Sequence, residues 1–300
     1  MGRSLADVGS GIDGYMTRIV HISDLHFELP PERLKPGVRQ VLDQSAAILK
    51  ALQPDFLAVT GDLTSYGCFD RNQLSGVRRW LDGLGLDYLV VPGNHDLSAN
   101  EIRGAAYPIM ETYEPVAWER TNFARSFDQG PLVERTLDQV TVLGVALREG
   151  DPDSTLVQLA RRLDELSGPA LVLGHYPLQV TKEQGVLGTF GYQGYIEGQR
   201  DRLLKMLRDQ PLVRAYLCGH VHAQTVVPLD DHLRQFSAGS LGLGASAGWI
   251  IDITQERLEI RSIRGAGPER FWPDDLCGEQ DPLDYHLWCG TEPIVLSLVT

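Results

Sequence analysis

The chain of 300 residues is short of several things. It has no apolar run approaching the roughly 18 residues that a membrane-spanning helix needs, so no membrane segment is expected. Basic residues are few: 27 Lys and Arg stand against 40 Asp and Glu, a net charge of −13. A general binder of duplex DNA needs a basic footprint, so that class is disfavoured. The four cysteines (Cys68, Cys218, Cys277, Cys289) form no CxxC pair, which speaks against a thiolate zinc site. Cys218 lies in an apolar run and reads as a small buried hydrophobe, while Cys277 and Cys289 read as free thiols. Residues 1–18 lack the apolar core of a signal peptide, and position 6 is Ala, not the Ser or Thr of a myristoylation motif. A cytoplasmic protein is expected. At 43% apolar and 22% charged, its composition is that of a globular chain able to bury a sizeable core.

What the sequence does have is one pattern used five times. Val90-Val91 is an apolar run, Pro92-Gly93 stops it, and Asn94-His95-Asp96 follows. Ile19–Ser23 runs into Asp24-Leu25-His26, and Phe56–Gly61 runs into Asp62. Ala170–Gly174 runs into His175, and Ala215–Gly219 runs into His220-Val221-His222. Short continuous apolar runs are the mark of strands covered on both faces. Open α/β sheets place their sites at the carboxyl ends of such strands. One occurrence would be ordinary strand-end polarity; five that all end in Asp, Asn or His point to a shared site.

Strands over 18–23, 56–60 and 88–91, with helices over 34–52 and 73–84 between them, give β-α-β-α-β and parallel pairing. Residues 100–130 break the rhythm and read as a helical excursion or cap beside the site. Strands are expected over 132–136 and 140–147, then a helix over 154–166 with Ser154 as its N-cap. The Gly- and Tyr-rich stretch 184–198 reads as a surface loop over the site; Tyr192 and Tyr195 could stack on a base or simply pack within it. A helix over 199–209 and a strand over 213–218 follow. Residues 224–228, 233–237, 249–253 and 258–263 alternate as antiparallel strands do, with Asp230-Asp231 as a hairpin turn. The organisation expected is a leader over 1–16, a domain over 17–265 and an aromatic arm over 266–300. That arm would pack on the core or on a second subunit, and it is the stretch that suggests a surface for self-association, as a homodimer.

Seven side chains are candidate metal ligands: Asp24, His26, Asp62, Asn94, His175, His220 and His222. Carboxylate, amide oxygen and imidazole suit Zn, Mn and Fe. Seven ligands exceed what one ion needs and fit two if a carboxylate bridges. Two cations would also offset the acidity of a protein that otherwise repels an anionic substrate. A pair ~3.5–4 Å apart can clamp the attacking and leaving oxygens of a displacement at phosphorus. His21, within a strand, reads as a core histidine instead.

Asp24-x-His26, Gly61-Asp62, Gly93-Asn94-His95-Asp96, Gly174-His175 and Gly219-His220-x-His222 resemble, in order and spacing, the motif set of the calcineurin-like metallophosphoesterases. Ser23-Asp24, Gly61-Asp62-Leu63-Thr64 and Gly93-Asn94-His95-Asp96 are similar to the bacterial class III cyclic-nucleotide phosphodiesterases. Leu97-Ser98-Ala99 departs from that subgroup, where polar and basic residues are expected. The superfamily resemblance implies an α/β fold, a four-layer αββα sandwich of mixed sheets with a dinuclear metal site at the strand carboxyl ends. It assigns Asp24, His26, Asp62 and His222 to one metal and Asp62, Asn94, His175 and His220 to the other, with Asp62 as the bridge. It implies hydrolysis of a small phosphodiester, cyclic nucleotides included, by in-line attack of a metal-bridging hydroxide. The ions would be divalent or trivalent Fe, Mn or Zn. His95 and Asp96 would be the catalytic residues, His95 protonating the leaving alkoxide or stabilising the phosphoryl oxygens and Asp96 orienting nearby groups. The glycines before four of the ligands would allow tight turns and close backbone approach. Phosphomonoesterase, nuclease and non-catalytic scaffold are the alternatives.

Overall fold

The computed structural model describes residues 17–29, 38–97, 116–179, 198–222, 224–242, 247–264 and 292–298. The expected leader 1–16, much of the excursion over 100–130, nearly all of the 184–198 loop and most of the 266–300 arm lie outside them.

Two six-stranded mixed sheets stack face to face. In the first, β1 (Thr17–Ile22), β2 (Phe56–Thr60) and β3 (Tyr88–Val91) are mutually parallel. β10 (Ala247–Ile253), β11 (Arg257–Arg264) and β12 (Ile294–Ser297) extend it antiparallel, in the order β12-β11-β10-β1-β2-β3. In the second, β5 (Val140–Val145), β6 (Ala170–Leu173), β7 (Val213–Cys218) and β9 (Arg234–Ser237) are parallel. β4 (Leu132–Leu137) and β8 (Thr225–Pro228) are its antiparallel edges, in the order β4-β5-β6-β7-β9-β8.

The apolar runs are continuous because both strand faces are covered. On β1 and β2, Ile19, Phe56 and Ala58 point inward, against Leu171, Leu173, Ala215 and Leu217 of the second sheet. Their neighbours Val20, Ile22, Leu57 and Val59 point outward, onto α1 (Val38–Ala51) and α2 (Arg71–Asp82). The short helices α3 (Asn94–Leu97) and α4 (Asn122–Phe127) add Leu97 and Phe123 to that outer layer. On the far side Val172, Tyr216 and Cys218 pack under α5 (Thr155–Asp164) and α6 (Arg200–Asp209). The order of layers is α, β, β, α, as the resemblance implies. Trp249 ties the sheets together: its Nε1–H donates to Ser237 O at 2.9 Å and its ring meets Phe236 edge-on.

The four late strands sort differently from a single antiparallel run. β8–β9 and β10–β11 are antiparallel pairs, but β9 lies parallel to β7 and the chain then changes sheets before β10. β10 does not alternate at all; every residue is buried, because it is covered by helices on one face and the second sheet on the other. β12 carries the first sheet beyond residue 265, with Ile294, Leu296 and Leu298 in the core between the sheets. Ser154 holds the N-cap position with φ 55°, but its side chain makes no capping bond. Asp151 caps the helix instead, accepting from the N–H of Thr155 at 2.7 Å and of Leu156 at 3.2 Å.

His21 is a core residue, fully buried, with Nε2 2.8 Å from Thr60 Oγ1. Burial lowers its pKa from 6.5 to about 3. The unfolded chain therefore binds the proton first, and stability falls as pH drops from 6.5 toward 3. Going from pH 7 to pH 5, His21→Gln is expected to lose about 2 kcal/mol less than the wild type in denaturant titrations. Equal losses would show that His21 is not held neutral.

Candidate metal centre

Each ligand-bearing motif sits where the sequence places it, just past the carboxyl end of a parallel strand. Asp24 and His26 follow β1, Asp62 follows β2, His175 follows β6, and His220 and His222 follow β7. Asn94, His95 and Asp96 lie in α3, a single turn after β3. The backbone knits these loops into one platform. Asp24 N–H donates to Gly61 O at 3.0 Å, His26 N–H to Asp62 O at 3.0 Å, and Gly219 N–H to His175 O at 2.9 Å.

The left-handed backbone falls mainly on the ligands themselves, not on the glycines before them. Asp24, His26, Asp62, His220 and His222 have φ between 46° and 69°. Of the glycines preceding ligands only Gly61, at φ 87°, is left-handed. Gly93 is required for room: a Cβ there would collide with Oδ1 and the backbone nitrogen of Asp62. Non-glycine residues in this region cost on the order of 1–3 kcal/mol each and gather at functional sites.

Two groups of donor atoms result, each lying within 4.8 Å: Asp24, His26, Asp62 and His222 in one, Asp62, His175 and His220 in the other. Asp62 is common to both. In the first, Nε2 of His222 is 3.1 Å from Nε2 of His26 and 3.3 Å from Asp24 Oδ1. In the second, His175 Nε2 is 3.1 Å from Asn94 Oδ1 and 3.4 Å from Asp62 Oδ1. His175 Nδ1 is 2.7 Å from Thr60 O. That carbonyl can only accept, so it fixes the proton on Nδ1 and leaves Nε2 to face the site, as in metal-ligating histidines. Oxygen and imidazole donors are the set for two borderline divalent ions. Cys218 is buried against the outer helices, where burial pushes its thiol pKa up.

The charges agree with this arrangement. Burial alone would raise both carboxyl groups. Attraction to His222 nevertheless holds Asp24 below its usual range, and His175 and His95 hold Asp62 well below. Burial pushes His26 down to about 3, so its lone pair is available. Burial opposes protonation of His175 as well, but the charges of Asp62 and Asp24 and the Thr60 carbonyl raise it to about 9. The centre is thus two buried carboxylates met by imidazoles and by the backbone N–H groups of His95 and His220.

His95 lies beside the two groups. Its N–H donates to Asp62 Oδ1 at 3.0 Å, Nδ1 is 2.9 Å from Ser65 O, and Nε2 stands 3.9 Å from Asp62 Oδ2. Its side chain keeps 12% exposure, against 2% for Asp62. Asp96, expected among the catalytic residues, is turned the other way. Its two oxygens accept from the N–H groups of Leu63, Thr64 and Gly93 and from Thr64 Oγ1, at 2.9–3.0 Å. Burial and the nearby charge of Asp62 raise it to about 6. It clamps the Asp62 loop to the Asn94 loop and is a positioning residue.

Three supports of the centre emerge only from the structure. The Tyr176 ring packs on His220 at 4.5 Å and His175 at 5.1 Å between centroids. Ser240 Oγ–H and Gly242 N–H both donate to Asp24 O. The Thr60 and Ser65 carbonyls orient two imidazoles. A Tyr next to Gly174-His175 is a usable sequence signal; backbone carbonyls leave none. Tyr176→Ala is expected to lower bound metal from two ions per chain toward one, with Tyr176→Phe unchanged, by metal analysis of the purified variants. Two ions retained in both would remove that role.

Two mixed sheets with Asp, Asn and His gathered at strand ends from both define a metallophosphoesterase fold. The model of the calcineurin-like phosphoesterase family matches residues 17–224, and the chain belongs to that family. No curated protein sequence matches it. Among solved structures it is similar to a dimetal phosphatase from Danio rerio (TM-score 0.60, 13% identity, 95% of this chain and 99% of that one). It is also similar to GAP50, the anchor in the inner membrane complex of Plasmodium (0.55, 14%, 83% and 84%). TT1561 of Thermus thermophilus is a third (0.52, 13%, 83% and 98%). At these identities the likeness is one of fold. No helix among the described residues is long and apolar enough to cross a membrane.

Proposed function

We propose that the protein hydrolyses a phosphodiester of a small molecule, cyclic nucleotides among them, in the cytoplasm and with two metal ions. The observation that carries this is Asp62, whose carboxylate belongs to both donor groups while it accepts the N–H of His95. Two ions bound there supply Lewis-acid charge for the phosphate. Asp24, His26 and His222 would hold one and Asn94, His175 and His220 the other, with Asp62 common to both. His95, with Nδ1–H fixed on Ser65 O, presents a partly exposed Nε2 3.9 Å from Asp62 Oδ2. A proton carried at Nε2 is placed to reach a leaving alkoxide. The net charge of −13 favours a small substrate over duplex DNA.

A second reading, phosphomonoester hydrolysis, is favoured by the similar Danio rerio protein being a dimetal phosphatase. A panel of bis-p-nitrophenyl phosphate, cyclic nucleotides, mononucleotides and single-stranded DNA separates the two, with metal content measured on the same sample. Diesters are expected to give the highest kcat/KM. A preference for mononucleotides would replace the first reading with the second. No turnover by protein holding two ions would remove both.

A further inference from the structure

Four large apolar side chains are exposed among the described residues: Tyr66, Phe69, Val157 and Val295. Both aromatic ones belong to one turn, immediately after Asp62-Leu63-Thr64-Ser65. Tyr66 is 49% exposed and Phe69 41%. The N–H groups of Phe69 and Asp70 close the turn on Tyr66 O, each at 3.0 Å.

The turn is held from every side. Asp96 grips Thr64, and Thr64 Oγ1 accepts Gly67 N–H at 2.8 Å. Asn122 Nδ2, at the start of α4, donates to Gly67 O and Cys68 O, both at 3.1 Å, and Cys68 N–H donates to His95 O at 3.0 Å. A backbone so constrained does not leave an aromatic ring in water for lack of order. Tyr66 also follows Ser65, whose carbonyl accepts Nδ1–H of His95. Its Cα is one peptide, about 3.8 Å, from that of Ser65.

We propose that Tyr66 is a specificity residue, a wall beside His95 that favours phosphate esters carrying an aromatic group, a nucleobase or a phenyl ring. The proposal rests on the hydrolase reading above. An aromatic face stacks on any planar ring for about 1–3 kcal/mol, and it adds no positive charge to an acidic protein. Phe69, three residues on in the same turn, is the other exposed aromatic residue among those described.

The test is calorimetric binding of phenylphosphonate and methylphosphonate to the protein loaded with Mn²⁺, with metal content checked for each variant. Tyr66→Ala is expected to weaken phenylphosphonate about tenfold and leave methylphosphonate unchanged, while Tyr66→Phe matches the wild type. Unchanged phenylphosphonate binding in Tyr66→Ala, or equal weakening of both ligands, overturns this proposal alone. A metal-loaded wild type that binds neither phosphonate overturns the hydrolase reading with it.

Discussion

Asp62→Asn is expected to strip the protein of metal and of nearly all turnover. The carboxylate is the only side chain shared by the two donor groups. Asparagine keeps its size, and its amide oxygen can still accept the N–H of His95, so the fold should survive. What goes is the negative charge between two sites for cations. Charge stabilisation worth several kcal/mol is lost, at about 1.4 kcal/mol per factor of ten, so turnover should fall by roughly a thousandfold or more. Metal analysis, circular dichroism and turnover of bis-p-nitrophenyl phosphate on one preparation check this. A folded Asp62→Asn holding two ions and working at the wild-type rate would refute the shared-ligand account.

His95→Ala should lose turnover but keep its metal. The alanine N–H still reaches Asp62 Oδ1, and the imidazole belongs to neither donor group. Both ions should therefore stay. Losing proton transfer at Nε2 costs about 10²–10⁴ in rate. The loss should be smallest for nitrophenolate, which leaves without a proton, and largest for an alkoxide. A loss of metal would make His95 a structural residue, and an equal loss across leaving groups would remove its role in proton transfer.

The centre is legible in the sequence because its physics is local. A strand buried on both faces must be apolar throughout, so the Asp or His that ends it stands out. Ile19–Asp24, Phe56–Asp62 and Ala170–His175 are all of this kind. The layer order is legible only through the motif resemblance. Pairing is harder to read, since β9 and β10 are adjacent in sequence yet lie in different sheets. β12 escapes notice because its apolar residues follow a long stretch of another composition. Asp96 shows a further limit. Its type and position suit catalysis, and only its four donors reveal that it holds two loops together. The glycines before the ligands do mark crowding, as at Gly93, but most of the left-handed residues at the centre are ligands themselves, and three of these (Asp24, His26 and His222) follow no glycine.

The most direct measurement is a metal titration of the chelated protein, following bound ion per chain and hydrolysis of bis-p-nitrophenyl phosphate together. Binding should saturate at two ions, with activity rising only as the second enters. Saturation at one ion, or hydrolysis that persists in chelator, would contradict a centre built by two donor groups around Asp62.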